Sequence, residues 1–477
     1  MIEHFKTFMV LYEWFILFYS ISYLSLYLLL AILAFVAIKK YNNNKYFLKD
    51  DIVVKSNHII GVSIVAPAFN EGMTIVHNVR SLMNLNYPKF EVVIVNDGST
   101  DDTLQKLIDE FDLVPVDFFY EAKIETKQVR GHFKSTNPVY SHLLVVDKEN
   151  GKSKADASNA GINSASYPLF LCTDVDCILR SDTIMKLAKP FMDRGKKVIA
   201  TGGVLRPSNS CIVQDGFLVD VSFPSNWWAS FQELEYIRAF LFGRMAWGEI
   251  NSLLLVSGGL GMFDKEIVIK VGGYWHQSLG EDMDLITRMR KHMHDIKEDF
   301  RILYIPETLC WTEVPSTKDV LMKQRVRWAR GLIQTLALHR KMFFNPKYGN
   351  TGFVAMPYFF FFEFLVPILE VFGLLIIVLG YLFLGLDLAL FLKLMTGIYL
   401  FYFSITIGSV LLDEWFNKYY RSRRDLVKLI AKGLIEPFVY HPFCVYAAIK
   451  GYAHYFLKKE QKWGNMQRTG FRTSKKK

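Results

Sequence analysis

The chain has 477 residues, 51% of them hydrophobic and 15% aromatic, with a formal net charge of +10. At roughly 100–200 residues per domain, this length holds one large domain plus a membrane region, or two to three soluble domains. The apolar residues gather at both ends around a charged centre, which excludes an ordinary soluble protein and fits a soluble segment flanked by membrane segments. The basic excess reads as charge on the cytoplasmic side of a membrane protein, where it meets membrane lipid. No nucleic-acid partner is expected, because no basic stripe lies on a recognisable soluble module. The five cysteines, Cys172, Cys177, Cys211, Cys310 and Cys444, form no Cys-x-x-Cys pair, so neither a disulfide framework nor a zinc site is indicated.

Residues 12–38 carry no charge after Glu13 and exceed the roughly 20 apolar residues that a spanning helix needs. A cleaved signal peptide would have a shorter apolar core and a more basic start. Lys39, Lys40, Lys45 and Lys49 follow the run and Lys6 is nearly alone before it, so the N-terminus is expected outside and residue 40 onward in the cytoplasm.

Residues 61–310 alternate between β-rich apolar runs (62–66, 91–95, 142–146, 168–172 and 197–201) and stretches with helical spacing such as Met73, Val76, Val79 and Met83. This pattern predicts an α/β fold with a mostly parallel sheet and helices on both faces. Residues 119–145 are longer than a minimal connection, and no role follows from them. Ligands of such sheets bind beyond the carboxyl ends of the strands, so the polar residues just after each run are the candidates.

Residues 354–385 and 388–412 each suffice to span, and Arg421, Arg423 and Arg424 mark a cytoplasmic return. Residues 426–457 are apolar but broken by Glu436-Pro437 and His441-Pro442; proline cannot continue the backbone ladder, which predicts a hairpin with its bend near 437–442. Glu363, Glu370, Glu436 and His441 are costly in lipid and are expected to face other helices or a channel. The expected division is 1–40, a membrane helix; 41–345, a cytoplasmic domain; 346–458, membrane helices with the proline-broken hairpin; and 459–477, a basic cytoplasmic tail.

The first strand runs into Pro67-Ala68-Phe69-Asn70-Glu71 and the second into Asn96-Asp97-Gly98-Ser99. Such turns present backbone N–H groups to a ligand, although ordinary strand–helix turns use the same residues. The fourth run ends in Thr173-Asp174-Val175-Asp176, and alternation puts both aspartates on one side. Two carboxylates there suit a hard cation such as Mg²⁺, which takes one or two of them plus substrate phosphates. Gly280-Glu281-Asp282 opens a helix; its acids either complement the helix dipole or supply a general base for an acceptor hydroxyl. In Gln324-Arg325-Val326-Arg327-Trp328, residues 324, 327 and 328 share a helix face. They suit phosphate and sugar binding, and equally an amphipathic helix anchored by Trp at a membrane surface.

Together these motifs, in this order, resemble the inverting family-2 glycosyltransferases of GT-A fold, the group containing cellulose, chitin, hyaluronan and poly-N-acetylglucosamine synthases. The resemblance covers roughly residues 60–345. It implies that Ala66, Glu71 and Asp97 lie at the nucleotide, with Asp97 near the uracil, and that Lys154 and Asn159 lie near the diphosphate. By the same resemblance Asp174 and Asp176 hold Mg²⁺ or Mn²⁺, with Asp174 also on the donor side, and Asp282 is the catalytic base. Gln324 and Arg327 match the donor-binding motif; Trp328, Gly258, Gly259 and Glu281 match the acceptor side. Gly280 replaces the Thr of cellulose synthases, which weakens that subgroup. No cyclic-dinucleotide domain follows the helices, so control of that kind is not expected.

The expected function is transfer of sugar from a UDP-sugar, with inversion, to a growing β-linked polysaccharide, by an integral protein of a bacterial inner (cytoplasmic) membrane. The alternatives are a glycolipid synthase adding one sugar to a lipid acceptor, and an inactive receptor or export protein. The donor sugar and any export partner do not follow from the sequence.

Overall fold

The computed structural model describes residues 2–44, 59–193, 195–214, 217–384, 388–418, 420 and 422–459. Among the described residues there are twelve strands: β1 (Val62–Ala68), β2 (Phe90–Asp97), β3 (Leu113–Val116), β4 (Val129–Ser135), β5 (Leu143–Lys148), β6 (Leu169–Thr173), β7 (Ile178–Leu179), β8 (Lys197–Pro207), β9 (Ile212–Gln214), β10 (Phe217–Asp220), β11 (Leu260–Asp264) and β12 (Phe300–Thr312). Ten of them form one sheet in the order β3-β4-β5-β2-β1-β6-β11-β8-β12-β7. The five apolar runs of the sequence are β1, β2, β5, β6 and β8.

The α/β architecture is the expected one. Its central block β5-β2-β1-β6 is parallel throughout. Such strands are buried on both faces, which is why they read as continuous apolar runs rather than alternating ones. The sheet is mixed toward its edges: β3 and β4 are antiparallel additions beside β5, so part of the long 119–145 stretch supplies β4, the strand next to the edge strand β3. β11 lies antiparallel between β6 and β8, with Leu260 opposite Thr173. That reversal delivers the segment before β11 to the carboxyl end of β6.

The helix Lys154–Ser164 covers β1 and β2. A Cβ at Gly161 would lie 2.4 Å from Val65 Cγ1 and 3.0 Å from Val95 Cγ2, so only glycine permits this approach. Ser153 caps the helix by accepting from Ala155 N–H at 3.2 Å.

Among the described residues, three helices are long and apolar enough to cross a membrane, Val10–Asn43, Thr351–Phe383 and Met395–Asn417, and the chain is a membrane protein. The first and third are fastened to the sheet by polar contacts. Tyr41 Oη donates to Glu307 at 2.8 Å, and fully buried Arg206 at the end of β8 pairs with Glu233 at 2.6 Å and with Asp413 on the third span. The intramembrane polar groups find partners too: Tyr358 donates to Glu363 at 2.8 Å, His441 Nε2 lies 2.9 Å from Glu370, and Arg238 donates to Glu436 at 2.7 Å.

The predicted hairpin at 426–457 is not found. Residues Arg423–Phe456 form one helix with Pro437 and Pro442 inside it. Tertiary contacts on both sides of the prolines outweigh the lost ladder bonds. Tyr440 and Phe443 pack with Phe231 and Leu321, and Gly451 sits so close to the helix Lys318–Leu338 that a Cβ there would lie 2.8 Å from Val326 O. The basic residues expected at 45, 49 and 421 and the tail beyond residue 459 lie outside the described residues.

Candidate active site

The carboxyl ends of β1, β2 and β6 carry Ala66, Glu71, Asp97, Asp174 and Asp176 among the residues that the sequence singled out. Ala66 is fully buried within β1, opposite Ile94. In the turn after it, Asn70 accepts from Thr100 N–H at 2.8 Å and Glu71 N–H donates to Thr103 Oγ1 at 2.9 Å. These bonds lace the turns following β1 and β2 together. Asn70 adopts φ +56°, a left-handed turn conformation that Asn tolerates.

Asp97 ends β2, and its parallel neighbour Lys148 ends β5. Lys148, fully buried, donates to Asp97 Oδ1 at 2.7 Å and to Glu149 O at 2.5 Å, and pairs with Asp156 at 2.5 Å. Gly151 N–H adds a second contact to Asp97 at 3.0 Å. An unpaired ammonium at that depth would be strongly penalised; three oxygens around it satisfy all of its protons. Lys148 therefore links the end of β2 to the first turn of the helix Lys154–Ser164.

Lys154, at the start of that helix, lies 2.5 Å from Asp174 Oδ1 and donates to Gly258 O at 2.8 Å. Burial opposes its charge, and the Asp174 carboxylate more than offsets this, holding Lys154 above the ordinary lysine range. Gly258 N–H in turn points at Asp282 Oδ2, 3.3 Å away, while Met283 N–H donates to Asp282 Oδ1 at 2.9 Å. The two glycines leave room here. A Cβ on Gly259 would lie 3.4 Å from Asp174 Oδ2, and one on Gly258 would lie 3.6 Å from Lys154 Nζ.

Asp174, Asp176 and Cys177 offer ligand atoms all within 4.8 Å of one another. Two carboxylates suit a hard divalent cation, and the ammonium of Lys154 on Asp174 shows that positive charge is accommodated at this spot. Cys177 is buried beside them.

Glu281 is buried beside Asp282, and its Oε2 lies 3.8 Å from Arg327 Nη1. Burial pushes its carboxyl above the usual range, with Arg327 acting in the opposite direction. Glu281 Oε2 and Gln324 Oε1 are buried and accept no hydrogen bond among the described residues. Trp328 is 40% exposed, and the Arg325 guanidinium stacks on its ring at 4.1 Å.

One group of contacts joins Asp97, Lys148 and Asp156; a second joins Asp174 to Lys154 and runs from Lys154 through Gly258 to Asp282, whose neighbour Glu281 faces Arg327. Asn159 departs from its expected place. It faces inward, donating to Tyr274 O and accepting from Tyr274 N–H, both at 2.8 Å, so its amide braces the 272–275 loop. The sequence reading missed Lys148, although the rule that flagged Asp97 at the end of β2 applies equally to the end of β5. It also missed Cys177, whose only signal was a thiol one residue beyond the Asp-x-Asp pair.

The chain belongs to a family of glycosyltransferases: the family described as Glycosyltransferase like family 2 matches residues 60–331, more than half of the chain. It is similar to the poly-beta-1,6-N-acetyl-D-glucosamine synthase of Staphylococcus epidermidis, with 28% identity over 319 residues, 66% of this chain and 64% of that protein. The synthase of the same name from Staphylococcus aureus is also 28% identical, over 322 residues. The match therefore spans somewhat under two thirds of these relatives' length. Among solved structures, a mannosyltransferase from Pyrobaculum calidifontis in complex with GDP-Man and Mn²⁺ aligns with a TM-score of 0.49 and 16% identity, covering 92% of this chain and 100% of that one.

Proposed function

We propose that this protein is a processive polysaccharide synthase that transfers sugar from a UDP-sugar to the end of a growing β-linked glycan. The observation that carries the reading is the unbroken run of contacts from Lys154 and Asp174 through Gly258 to Asp282, Glu281 and Arg327. Groups suited to a diphosphate and a group suited to a hydroxyl are joined by this one run of contacts. The names of the staphylococcal relatives favour N-acetylglucosamine as the sugar.

In this mechanism Asp282 removes the proton of the acceptor hydroxyl. That oxygen attacks the anomeric carbon of the α-linked donor, the bond to UDP breaks, and a β-linkage results. Gly258 and Met283 N–H donate to the Asp282 carboxylate and fix its direction. Lys154 and Arg327 stabilise negative charge on the departing UDP, and Asp97 accepts from the uracil. Glu281, Gly258, Gly259 and Trp328 border the acceptor, and the unengaged Gln324 Oε1 is left to accept from a ligand hydroxyl. Asp174 and Asp176 would hold Mg²⁺ or Mn²⁺, which when bound neutralises diphosphate charge.

The basic residues after the first span support an orientation with the N-terminus outside and the catalytic part on the cytoplasmic side of the cell membrane. The expected division into segments 1–40, 41–345, 346–458 and 459–477 is carried forward, with a continuous last helix in place of the hairpin. Incubation of the reconstituted protein with labelled UDP-N-acetylglucosamine tests the reading. A ladder or insoluble polymer supports it; a single organic-soluble glycolipid, or no sugar transfer from any UDP-sugar, contradicts it.

A further inference from the structure

One stripe of the helix Lys318–Leu338 reads the segment 277–281 in reverse order. Arg327, Gly331 and Gln334 lie at i, i+4 and i+7, on one face. Arg327 meets Glu281 at 3.8 Å. Gly331 meets Gly280 so closely that a Cβ on Gly331 would lie 2.7 Å from Gly280 N and 2.8 Å from its Cα. Gln334 meets the residues before it: its Oε1 accepts from Leu279 N–H at 3.0 Å and its Nε2 donates to Gln277 O at 3.0 Å. Beyond the end of the helix, His339 Nε2 lies 3.0 Å from Asp284 Oδ1, and Asp284 also accepts from Arg288 at 2.8 Å.

The segment 275–280 is a loop, with no ladder to hold its backbone groups. The Gln334 amide acts on it as a neighbouring peptide would, satisfying one N–H and one C=O. Asp282 follows three residues after Leu279, so its carboxylate inherits whatever position this clamp imposes.

We propose that Gln334 is a positioning residue, whose amide sets the place of Asp282 relative to Arg327 and hence the alignment of acceptor hydroxyl with donor. The proposal rests on the reading of Asp282 as the base. It assigns Gln334 no contact with substrate and no part in nucleotide binding. A displacement of about 1 Å at a reacting group costs up to about 10²-fold in rate.

The test uses the full-length protein in lipid nanodiscs, with Gln334→Ala and Gln334→Glu. Three quantities are measured: UDP affinity by calorimetry, sugar incorporated, and UDP released. For Gln334→Ala the expected result is UDP affinity unchanged within about twofold, incorporation lower by about 10–10²-fold, and more UDP released per sugar incorporated, because water competes with a misplaced acceptor. Gln334→Glu keeps the bond from Leu279 N–H and loses the bond to Gln277 O, so it falls between. Wild-type incorporation by Gln334→Ala overturns the proposal. So does loss of UDP affinity in step with incorporation, which marks a general structural defect. Asp282→Asn in the same assay reads the underlying assignment separately. If it transfers sugar at the wild-type rate the base assignment fails, whereas an inactive Asp282→Asn beside a normal Gln334→Ala rejects only the present inference.

Discussion

Lys154 Nζ and Asp174 Oδ1 stand 2.5 Å apart at the carboxyl end of β6, with Gly258 O as the second acceptor of the same ammonium. One cation from the chain therefore occupies the carboxylate that also belongs to the Asp174, Asp176 and Cys177 cluster. A divalent ion held by Asp174 and Asp176 would have to share the Asp174 carboxylate with that ammonium.

Removing the competitor should separate metal from nucleotide binding. Lys154→Met is expected to tighten Mn²⁺ binding to the nucleotide-free protein while weakening UDP binding, both measured by titration calorimetry. Because Lys154 is held above the ordinary lysine range, its charge persists below that range and is lost only as pH rises through the elevated value. Activity of the wild type should show no alkaline limb from this group below about pH 10.

Glu281 has the opposite character. Its carboxyl is raised by burial, so its contribution to stability is fully present below the ordinary glutamate value, about 4.3. That contribution is lost as pH rises through the elevated folded value. Melting temperatures of wild type and Glu281→Gln, compared from pH 4 upward, should diverge, the wild type falling relative to the variant. Parallel curves would remove the buried-carboxyl argument.

The Gly280–Gly331 contact forbids bulk on either side. Gly331→Ala places a methyl 2.7 Å from backbone and is expected to cost about 1–3 kcal/mol by overpacking. Gly280→Thr restores the residue common in cellulose synthases, but its Cβ meets Gly331 backbone at 3.2 Å. It should lower sugar transfer rather than improve it. Denaturation midpoints and initial rates of the two variants check both statements.

Arg206 is the fourth target. It is fully buried between Glu233 and Asp413, which join the sheet to the third span. Arg206→Met leaves two buried carboxylates without their cation and should destabilise the protein by about 3–5 kcal/mol. A thermal shift assay in detergent would show a lower transition, and an unchanged one would argue against this attachment.

Much of the fold was legible because the central strands are buried on both faces: β1, β2, β5, β6 and β8 declare themselves as unbroken apolar runs. β3 and β4 did not, since they lie toward an edge and carry polar residues such as Arg130, His132 and Lys134. The positions of Asp97 and Asp174 followed from the rule that ligands bind beyond strand ends. The role of β11 did not follow, because an antiparallel insertion between β6 and β8 has no local signature, and it is this insertion that brings Gly258 against Lys154 and Asp282. Pro437 and Pro442 misled for a related reason: local ladder chemistry predicts a break, and packing of Tyr440, Phe443 and Gly451 against distant elements decides otherwise. Gln334 has no local signal at all, since its partners lie more than fifty residues earlier in the chain.

The most direct test of the central claim compares wild type and Asp282→Asn, purified in nanodiscs and supplied with labelled UDP-N-acetylglucosamine, reading product length and UDP affinity together. The account predicts long labelled glycan from the wild type, about 10²–10⁴-fold less from the variant, and nearly equal affinity of both for UDP. Full-length product from Asp282→Asn, or an equal collapse of product and UDP binding, would contradict it.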